Sequence, residues 1–281
     1  MQSSSLFGRL TRSHIQPNHT CHRPAHRWLL LEHLEDRLTP STDIFGSHGF
    51  GIGGLVTTPF SGKQNSSASI VLTQSDGKIV VVGSASNALG MARLTITGVL
   101  DPTFGTGGNV TSRANGLSAV TAAALQDDGK ILVAGTRSDF SSSGQTLSFV
   151  TERFTSAGAL DTSFGNGGAV ITPIDQTTAS TDGAAAAILV QPGGSIVVTG
   201  NKNAYNADFS ELTTSFVAER YTNTGTPDLS FGTGGQLTVA IASFDFTDHY
   251  GAISLVPAVI QSDGKFVVAG TRFDYSPDFS T

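Results

Sequence analysis

The stretch Gln126-Asp127-Asp128-Gly129-Lys130-Ile131-Leu132-Val133-Ala134-Gly135 is the clearest copy of a pattern that the chain repeats. The other copies are Gln74–Gly83, Gln191–Gly200 and Gln261–Gly270. Each copy has a short polar turn, a run of four mainly apolar residues and a closing glycine. Short β-branched apolar runs that follow turn residues predict strands buried on both faces. The pattern therefore predicts a β-hairpin that recurs along the chain.

The polar turn carries its own prediction. Asp76-Gly77, Asp128-Gly129 and Asp263-Gly264 fit a two-residue type I′ turn, which needs positive φ at both central positions. The remaining copy has Pro192-Gly193-Gly194 at this place, so it keeps the glycines and lacks the Asp. Because one copy dispenses with the Asp, we assign these aspartates to turn formation in preference to cation binding.

A second motif, Phe-Gly-x-Gly-Gly, also recurs. It begins at Phe50, Phe104, Phe164 and Phe231. Both markers return at a period near sixty, roughly 50 to 70 residues, and such periods indicate repeat arrays or propellers. A phosphate-binding loop is the alternative reading, but that loop opens a helix, whereas here the glycines lead into another short strand. We expect a wide turn whose Phe fills the core between repeats.

A third marker precedes each later Phe-Gly motif. It consists of an arginine that is followed directly by an apolar or aromatic residue, and of an aspartate eight residues after the arginine. The pairs are Arg93 with Asp101, Arg153 with Asp161, and Arg220 with Asp228. Calcium binding by the three aspartates is one interpretation. Their regular position at the start of a turn favours bonding of the side chain to the local backbone instead.

One repeat then divides into four strands. In the second repeat we predict strand a at 109–113, strand b at 119–126, strand c at 130–135 and strand d at 148–155. The predicted fold is all-β: a β-propeller-like array of four-stranded antiparallel blades, with repeats at about 50–103, 104–163, 164–230 and 231–281, the last incomplete. Length differences fall in the c–d loops (136–147 and 201–214) and the a–b loops (175–183 and 243–251), which we expect on opposite faces.

Together these markers resemble the delta-60 repeat, a bacterial family with the pattern Leu-Asp-x-x-Phe-Gly-x-x-Gly followed by Gln-x-Asp-Gly-Lys-Ile. The resemblance covers residues 43–281. It implies a β-propeller of secreted or surface proteins, and it implies no catalytic residue.

Residues 1–42 differ in composition from the repeats and are predicted to be a targeting-like or disordered segment. Five of the seven His of the chain lie there, and its continuous apolar run, Trp28–Leu31, is too short to span a membrane. The run Leu31–Pro40 resembles an N-terminal motif of many predicted exported proteins of planctomycete bacteria, which implies export or surface retention. A short amphipathic helix is a compatible interpretation.

Two further hypotheses concern the same segment. Cys21 with His14, His19, His22 and His26 suggests a metal cluster, but the spacing matches no closed zinc pattern, so we predict no metal site. The run Arg37-Leu38-Thr39 resembles Arg153-Phe154-Thr155, which raises the hypothesis that residues 34–40 complete the last blade. We prefer the export-like motif as the explanation of those residues.

The function prediction follows from what the composition and motifs exclude. A net charge of −6 and 14% charged residues provide no basic surface for nucleic acid. The chain has no Gly-x-Ser-x-Gly, His-Glu-x-x-His or paired-Cys motif, so we assign no catalytic, cofactor-binding or metal residue. We expect a non-enzymatic exported or cell-surface binding or structural module, with an extracellular protein or glycan as partner and no transmembrane span. The alternative is a propeller enzyme, a lyase or hydrolase acting on a sugar or lactone at a central channel.

Overall fold

The computed structural model describes residues 49–275 apart from 53, 59–65, 86–87, 114, 118, 142–143, 178–180, 207, 209 and 246–249. The chain divides into two compact units, residues 1–44 and 45–281, and the described residues belong to the second. The predictions for residues 1–42, which concern export, a metal cluster and a strand at 34–40, lie outside the described residues.

The described residues form β-strands and turns and contain no helix. The strands are β1 (Ser66–Thr73), β2 (Ile79–Ala85), β3 (Leu89–Leu94), β4 (Asn109–Ser112), β5 (Ala119–Leu125), β6 (Ile131–Ser141), β7 (Gly144–Phe154), β8 (Ala169–Thr177), β9 (Thr181–Val190), β10 (Ile196–Tyr205), β11 (Glu211–Tyr221), β12 (Gln236–Asp245), β13 (Tyr250–Ile260) and β14 (Phe266–Tyr275). Three antiparallel sheets, β1–β4, β5–β8 and β9–β12, have four strands each in chain order, and β13 pairs with β14. The predicted fold class is confirmed: the chain is an all-β, propeller-like array of four-stranded blades whose last described sheet is incomplete.

The strands group into sheets differently from the sequence repeat. We predicted strand a, at 109–113, as the first strand of the second blade. The structure pairs it, as β4, with β3 of the preceding sheet. The reason is the Phe-Gly-x-Gly-Gly loop, which folds back as a hairpin, so the strand after it returns alongside the strand before it. Each sheet therefore runs b, c, d and then strand a of the following sequence repeat.

The Asp-Gly turn is also not the predicted type I′ turn. The N–H of Gly77 donates to the carbonyl of Gln74 at 2.9 Å, and Gln74 N–H donates to the carbonyl of Lys78 at 2.8 Å. These bonds define a three-residue hairpin loop, a type I turn followed by a glycine at positive φ. Gly77 supplies that positive φ, at 80°. The Asp thus occupies a position that needs no positive φ, and its side chain is free to bond the turn.

The closing glycines of the first three hairpins lie where two backbones approach closely. A Cβ on Gly135 would lie 1.8 Å from the carbonyl oxygen of Ala119, and one on Gly83 would lie 1.9 Å from that of Ser67. The pairing of β5 with β6 shifts register at this level, between Val120 and Ala122. A β-bulge of this kind brings the partner strand too close for any side chain, which explains why the pattern ends in glycine.

The apolar runs of the second and third sheets are buried on both faces as predicted, whereas in the first sheet Val80 and Val82 are buried and Ile79 and Val81 are half-buried. All four side chains of Ile131–Ala134 are fully buried, and so are Phe104 and Phe164 of the Phe-Gly motif. One core lies between the first and second sheets and another between the second and third. The fourth run differs, because Val267 is 50% exposed whereas the equivalent Val197 is fully buried. The side of β14 that carries Val267 has no sheet packed on it among the described residues.

The variable loops lie at one end of the array and not on opposite faces. Consecutive connections in an antiparallel meander alternate between its two ends. The b–c turns and Phe-Gly loops share one end, the turn end, and the c–d hairpins and the connections between sheets share the other, the hairpin end. The pairing of Gln145 with Thr177 places the end of β8 beside the start of β7 and shows this directly. Much of the predicted 136–147 loop is strand, since β6 and β7 pair out to Ser141 and Gly144.

Candidate functional site

An arginine at the end of β3 joins the first sheet to the second. Arg93 is 6% exposed. Its Nε donates to Asp101 Oδ2 at 3.0 Å and its Nη2 donates to Thr103 Oγ1 at 2.9 Å. Its Nη1 donates to the backbone carbonyl of Ser156 at 2.6 Å, in the turn that follows β7 of the second sheet. One guanidinium therefore fixes its own loop and reaches the neighbouring sheet.

The same arrangement recurs at the ends of β7 and β11. We call the three sets arginine clasps: Arg93, Asp101, Thr103 and Phe104; Arg153, Asp161, Ser163 and Phe164; Arg220, Asp228, Ser230 and Phe231. In the second clasp, Arg153 Nε donates to Asp161 at 2.9 Å, and Nη1 donates to the carbonyl of Asn223 in the third sheet. In the third, Arg220 bonds Asp228 at 2.8 Å, but its Nη1 has no hydrogen-bond partner among the described residues.

Each clasp arginine also lies over the ring of its own clasp phenylalanine. The guanidinium carbon is 4.8 Å from the ring centre of Phe104 and 4.6 Å from that of Phe164. This distance is within the range of a cation–π contact, which is stronger where water is excluded. The motif Phe thus fills the core on one side and supports the arginine on the other.

The glycine after each clasp phenylalanine adds a second bond to the next sheet. Gly105 N–H donates to the carbonyl of Ala157 at 2.8 Å, and Gly165 N–H donates to that of Thr224 at 2.8 Å. Each junction therefore has two bonds, one from the arginine and one from the glycine, to the carbonyls of two consecutive turn residues. The Phe-Gly motif is a sheet-to-sheet connector.

The clasp aspartates are fully engaged by protein donors. Asp101 Oδ1 accepts hydrogen bonds from Thr103 N at 3.0 Å and Thr103 Oγ1 at 2.7 Å. Its Oδ2 faces Arg93 and lies 3.2 Å from Lys78 Nζ. The Thr103 hydroxyl, with these further partners, holds the pKa of Asp101 well below its usual range. Asp161 and Asp228 bond their own turn residues in the same way, so the geometry favours the turn role over calcium binding.

The hairpin aspartates bond locally too. Asp128 Oδ1 accepts Lys130 N–H at 3.1 Å, and Asp128 Oδ2 lies 2.5 Å from Lys130 Nζ. Asp76 and Asp263 repeat the contact with the lysine two residues on. Among the described residues, no three His, Cys, Asp or Glu side chains are grouped as metal ligands would be.

A polar cleft of about 500 Å³ lies between the turns of the first two sheets. Its lining includes Asp76, Lys78, Arg93, Asp128 and Ser156. Asp76 is paired with Lys78 within the cleft, and Arg93 and Asp128 have their ion-pair partners in the clasp and in the hairpin turn. The cleft has the size for a small polar ligand, and its charged groups serve the clasp and the turns.

A buried acid lies on the opposite side of β11 from its clasp arginine. Glu219 is 1% exposed. It accepts hydrogen bonds from the hydroxyl of Tyr221 and from Gln236 Nε2, the latter at 3.1 Å. The Tyr221 hydroxyl also bonds Thr172 Oγ1 of the second sheet at 2.7 Å. Burial raises the pKa of Glu219 to about 7, against the opposing effect of these hydrogen bonds.

The equivalent acid of the second sheet is Glu152, also 1% exposed. Asn115 Nδ2 donates to its Oε1 at 2.8 Å, and its Oε2 is buried without a hydrogen-bond partner among the described residues. Burial raises the pKa of Glu152 as well. Sequence reasoning missed both acids, although each stands immediately before a clasp arginine. Ala92 takes that place in the first sheet, so the acid does not recur in every repeat.

The hairpin end carries the side chains that differ between repeats. Phe140 is 79% exposed there, beside an ion pair in which Arg137 Nε lies 2.7 Å from Asp139. In the third sheet, Asn203 bonds Asp182 at 2.6 Å and accepts a bond from Thr214 at 2.8 Å. The side chains at the hairpin end are polar, differ from sheet to sheet and include one exposed aromatic ring. At the turn end, the same contacts recur in successive sheets.

The fold and its clasps define a β-propeller-like repeat protein. A family model described as a domain of unknown function (DUF5122) β-propeller matches residues 74–104 and 126–164, the parts that hold the first two hairpin turns and clasps. No curated protein matches the chain. Among solved structures, the chain is similar to a crystal structure of a protein from Lactobacillus plantarum, at 9% identity and a TM-score of 0.30, over 76% of this chain and 68% of that one. Among the described residues, no helix has the length and apolar character that crossing a bilayer requires.

The clasps predict a stability difference between two arginines of the same motif. Arg153→Gln leaves Asp161 without its cation and removes the bond to the third sheet, so we expect a loss of about 3 kcal/mol in the free energy of unfolding. Arg220→Gln removes an arginine that is a quarter exposed and makes no cross-sheet bond to the described residues, so its loss should be less than half as large. Urea unfolding measures both, and equal losses would contradict the role of the cross-sheet bond.

The buried acid predicts a stability that falls as pH rises. Because the pKa of Glu219 is about 7 in the folded state and near 4.5 when exposed, the folded state binds more protons between these values. Glu219→Gln, a mimic of the protonated acid, should therefore gain about 3 kcal/mol of unfolding free energy relative to the unaltered protein between pH 5 and pH 8.

Unfolding in urea at the two pH values measures this relative gain. Glu211→Gln, which replaces an exposed acid on the same strand, is the matched control. A pH-independent difference for Glu219→Gln would show that the carboxyl is already ionised in the folded state.

Proposed function

We propose that this chain is a non-enzymatic exported or cell-surface repeat protein of the delta-60 type, which acts as a binding or structural module. Its partner is an extracellular protein or glycan, which it contacts through the hairpin end of the array. The clasped sheets serve as a rigid support for that end. The match to the β-propeller family model supports a propeller-like scaffold and does not indicate a partner.

The observation that carries this proposal is a difference between the two ends of the array: recurrent structural contacts lie at the turn end, and variable loops lie at the hairpin end. At the turn end, the polar residues that recur in the repeats bond the backbone or the next sheet, as Arg93, Asp101 and Asp128 show. At the hairpin end, length and composition vary from sheet to sheet. Loops on a rigid sheet scaffold are where binding residues concentrate. Variation confined to one end is what recognition of a partner requires, and a purely packing role gives no reason for it.

The exported location rests on the motif at Leu31–Pro40 and on its resemblance to leaders of predicted exported proteins. Residues 1–30 carry four Arg and no acidic residue, and the short Leu-containing element follows them. Cell fractionation of the full chain, beside a variant with Leu34, Glu35 and Arg37 replaced by Ser, tests this part. Equal distribution of the two proteins between the cell interior and exterior would contradict export through this motif.

Binding at the hairpin end predicts a contrast between two exposed apolar residues. The labelled protein is applied to glycan and extracellular-protein arrays, in parallel with a panel of lyase and hydrolase substrates. Phe140→Ser, at the hairpin end, should weaken the strongest array signal at least fivefold, because an exposed aromatic ring is a typical binding anchor. Ile96→Ser, at the turn end and 67% exposed, is the matched control and should leave it unchanged.

Saturable turnover in the substrate panel, with no array signal, would favour the propeller-enzyme alternative over this proposal. A signal that Ile96→Ser lowers as much as Phe140→Ser does would place the binding surface elsewhere.

A further inference from the structure

Two asparagines of the chain are followed directly by glycine: Asn115 precedes Gly116, and Asn166 precedes Gly167. In an Asn-Gly pair the backbone nitrogen of the glycine can attack the side-chain amide of the asparagine, because glycine has no side chain that hinders the approach. Asparagine is accordingly one of the thermolabile residues. The structure places the two pairs in different environments, and this difference determines which of them can react.

Asn166 lies in the Phe-Gly loop of the second clasp. The loop turns at Gly167-Gly168, with positive φ of 64° and 105°, and Asn166 N–H donates to the carbonyl of Ala169 at 2.7 Å. These values fit a two-residue type I′ turn. The N–H of the first central residue of such a turn has no partner within the turn, and that residue is Gly167.

Both reacting groups of this pair are accessible. Asn166 and Gly167 are exposed, and neither the side-chain amide of the first nor the N–H of the second has a hydrogen-bond partner among the described residues. No other atom lies within 4 Å of the position that a Cβ on Gly167 would take. The equivalent residues of the first and third clasp loops are Thr106 and Thr233, which carry no amide that could react.

Asn115, in contrast, is held at its side chain and at its backbone. Its Nδ2 donates to Oε1 of the buried Glu152 at 2.8 Å, and its carbonyl accepts a hydrogen bond from Arg137 Nη1 at 3.4 Å. The side chain of Arg137 also lies 3.2 Å from the position of a Cβ on Gly116. Loss of the Asn115 amide would remove the donor to a buried carboxyl, which is costly. We therefore expect the fold to protect this pair.

We propose that Asn166 is a site of spontaneous covalent modification, at which asparagine is converted to isoaspartate and aspartate. The nitrogen of Gly167 attacks Cγ of Asn166, the bond between Cγ and Nδ2 breaks, and Nδ2 leaves as ammonia with the proton that the Gly167 nitrogen gives up. Water then opens the cyclic imide that results. Opening at the backbone carbonyl of Asn166 gives isoaspartate, in which the main chain runs through Cβ, and opening at Cγ gives aspartate.

The reaction changes the loop that joins the second sheet to the third. Isoaspartate adds one atom to the main chain between Phe164 and Gly168, a segment that is closed by the bond from Gly168 N–H to the Phe164 carbonyl at 2.9 Å. Gly165, within this segment, donates its N–H to the carbonyl of Thr224 in the third sheet at 2.8 Å. The longer main chain displaces these groups from one another, so we expect the modification to weaken the second junction.

The test follows both Asn-Gly pairs by peptide mapping with mass spectrometry, after incubation of the full chain in warm, mildly alkaline buffer. Incubation in water enriched in heavy oxygen labels the products that form during the experiment. We expect Asn166 to react at least tenfold faster than Asn115, with isoaspartate as the main product. In urea the two rates should become similar, because the unfolded chain no longer holds the amide of Asn115.

The effect on the junction is measured with Asn166→Thr as the matched control, since threonine stands at this position in the first and third clasp loops. After incubation of the unaltered protein, amide exchange of Gly165 should become at least tenfold faster in the isoaspartate-containing fraction. It should not change after incubation of Asn166→Thr. Exchange of Gly105, in the first junction, reports any general loss of structure and should stay the same in both proteins.

Three results would overturn the proposal. The first is a reaction of Asn166 that is no faster than that of Asn115 in the folded chain, which would show that the turn protects the pair. The second is a difference in rate that persists undiminished in urea, because the fold would then not be its cause. The third is unchanged exchange of Gly165 in the modified protein, which would contradict the effect on the second junction.

Discussion

The array depends on one interaction that is repeated at each junction: a buried arginine that reaches out of its own sheet to a backbone carbonyl of the next. Removing a guanidinium from water is costly unless its donors are satisfied. In the first two clasps the aspartate, the hydroxyl and the carbonyl of the neighbouring turn satisfy them together. The aspartate of its own clasp neutralises the arginine, but the remaining guanidinium donor has an acceptor only when the next sheet is in place, so each sheet stabilises the fold of its predecessor.

The remaining recurrent features follow from this junction. The ring of the clasp phenylalanine lies under the guanidinium of the arginine and is also part of the core between sheets. The turn glycine is needed because the phenylalanine leaves no room for a side chain. The recurrent residues at the turn end are consequently committed to contacts that hold the sheets together. The length and the sequence of the loops at the hairpin end are not constrained by these contacts and can vary. The buried acids Glu152 and Glu219 add a second, pH-dependent element to the same junctions, on the side of each strand opposite the arginine.

The sequence predicted the strands well because their signals are local. Ile131–Ala134 is apolar and β-branched, and the Asp-Gly pair before it marks a turn, so the hairpin could be read without knowledge of its neighbours. The Phe-Gly motif was correctly assigned to the core for the same reason. The assignment of strand a to the preceding sheet was missed. It depends on which strand the chain pairs with after the Phe-Gly loop, and a loop of glycines does not indicate the direction in which the chain leaves it. The turn type was missed because Asp-Gly fits two hairpin geometries.

The candidate site was less accessible to prediction. Arg93 and Asp101 were visible as a recurrent pair, but the contact of Arg93 with Ser156 joins residues more than sixty positions apart, which no local pattern encodes. The raised pKa of Glu219 depends on burial by a neighbouring sheet, which no local sequence pattern marks. The placement of both sets of variable loops at one end likewise follows from the order of strands in the sheet, which the repeat length does not determine.

Amide hydrogen exchange of three glycines tests the central claim most directly. Gly105 and Gly165 donate their N–H groups across the first two junctions, whereas no bond of this kind is made by Gly232 to the described residues. If the junctions hold the array together, the amides of Gly105 and Gly165 should exchange as slowly as those of Leu132 and Val133, and that of Gly232 at least a hundredfold faster. Similar, fast exchange at all three glycines would show that the sheets separate readily and that the clasps do not hold them together.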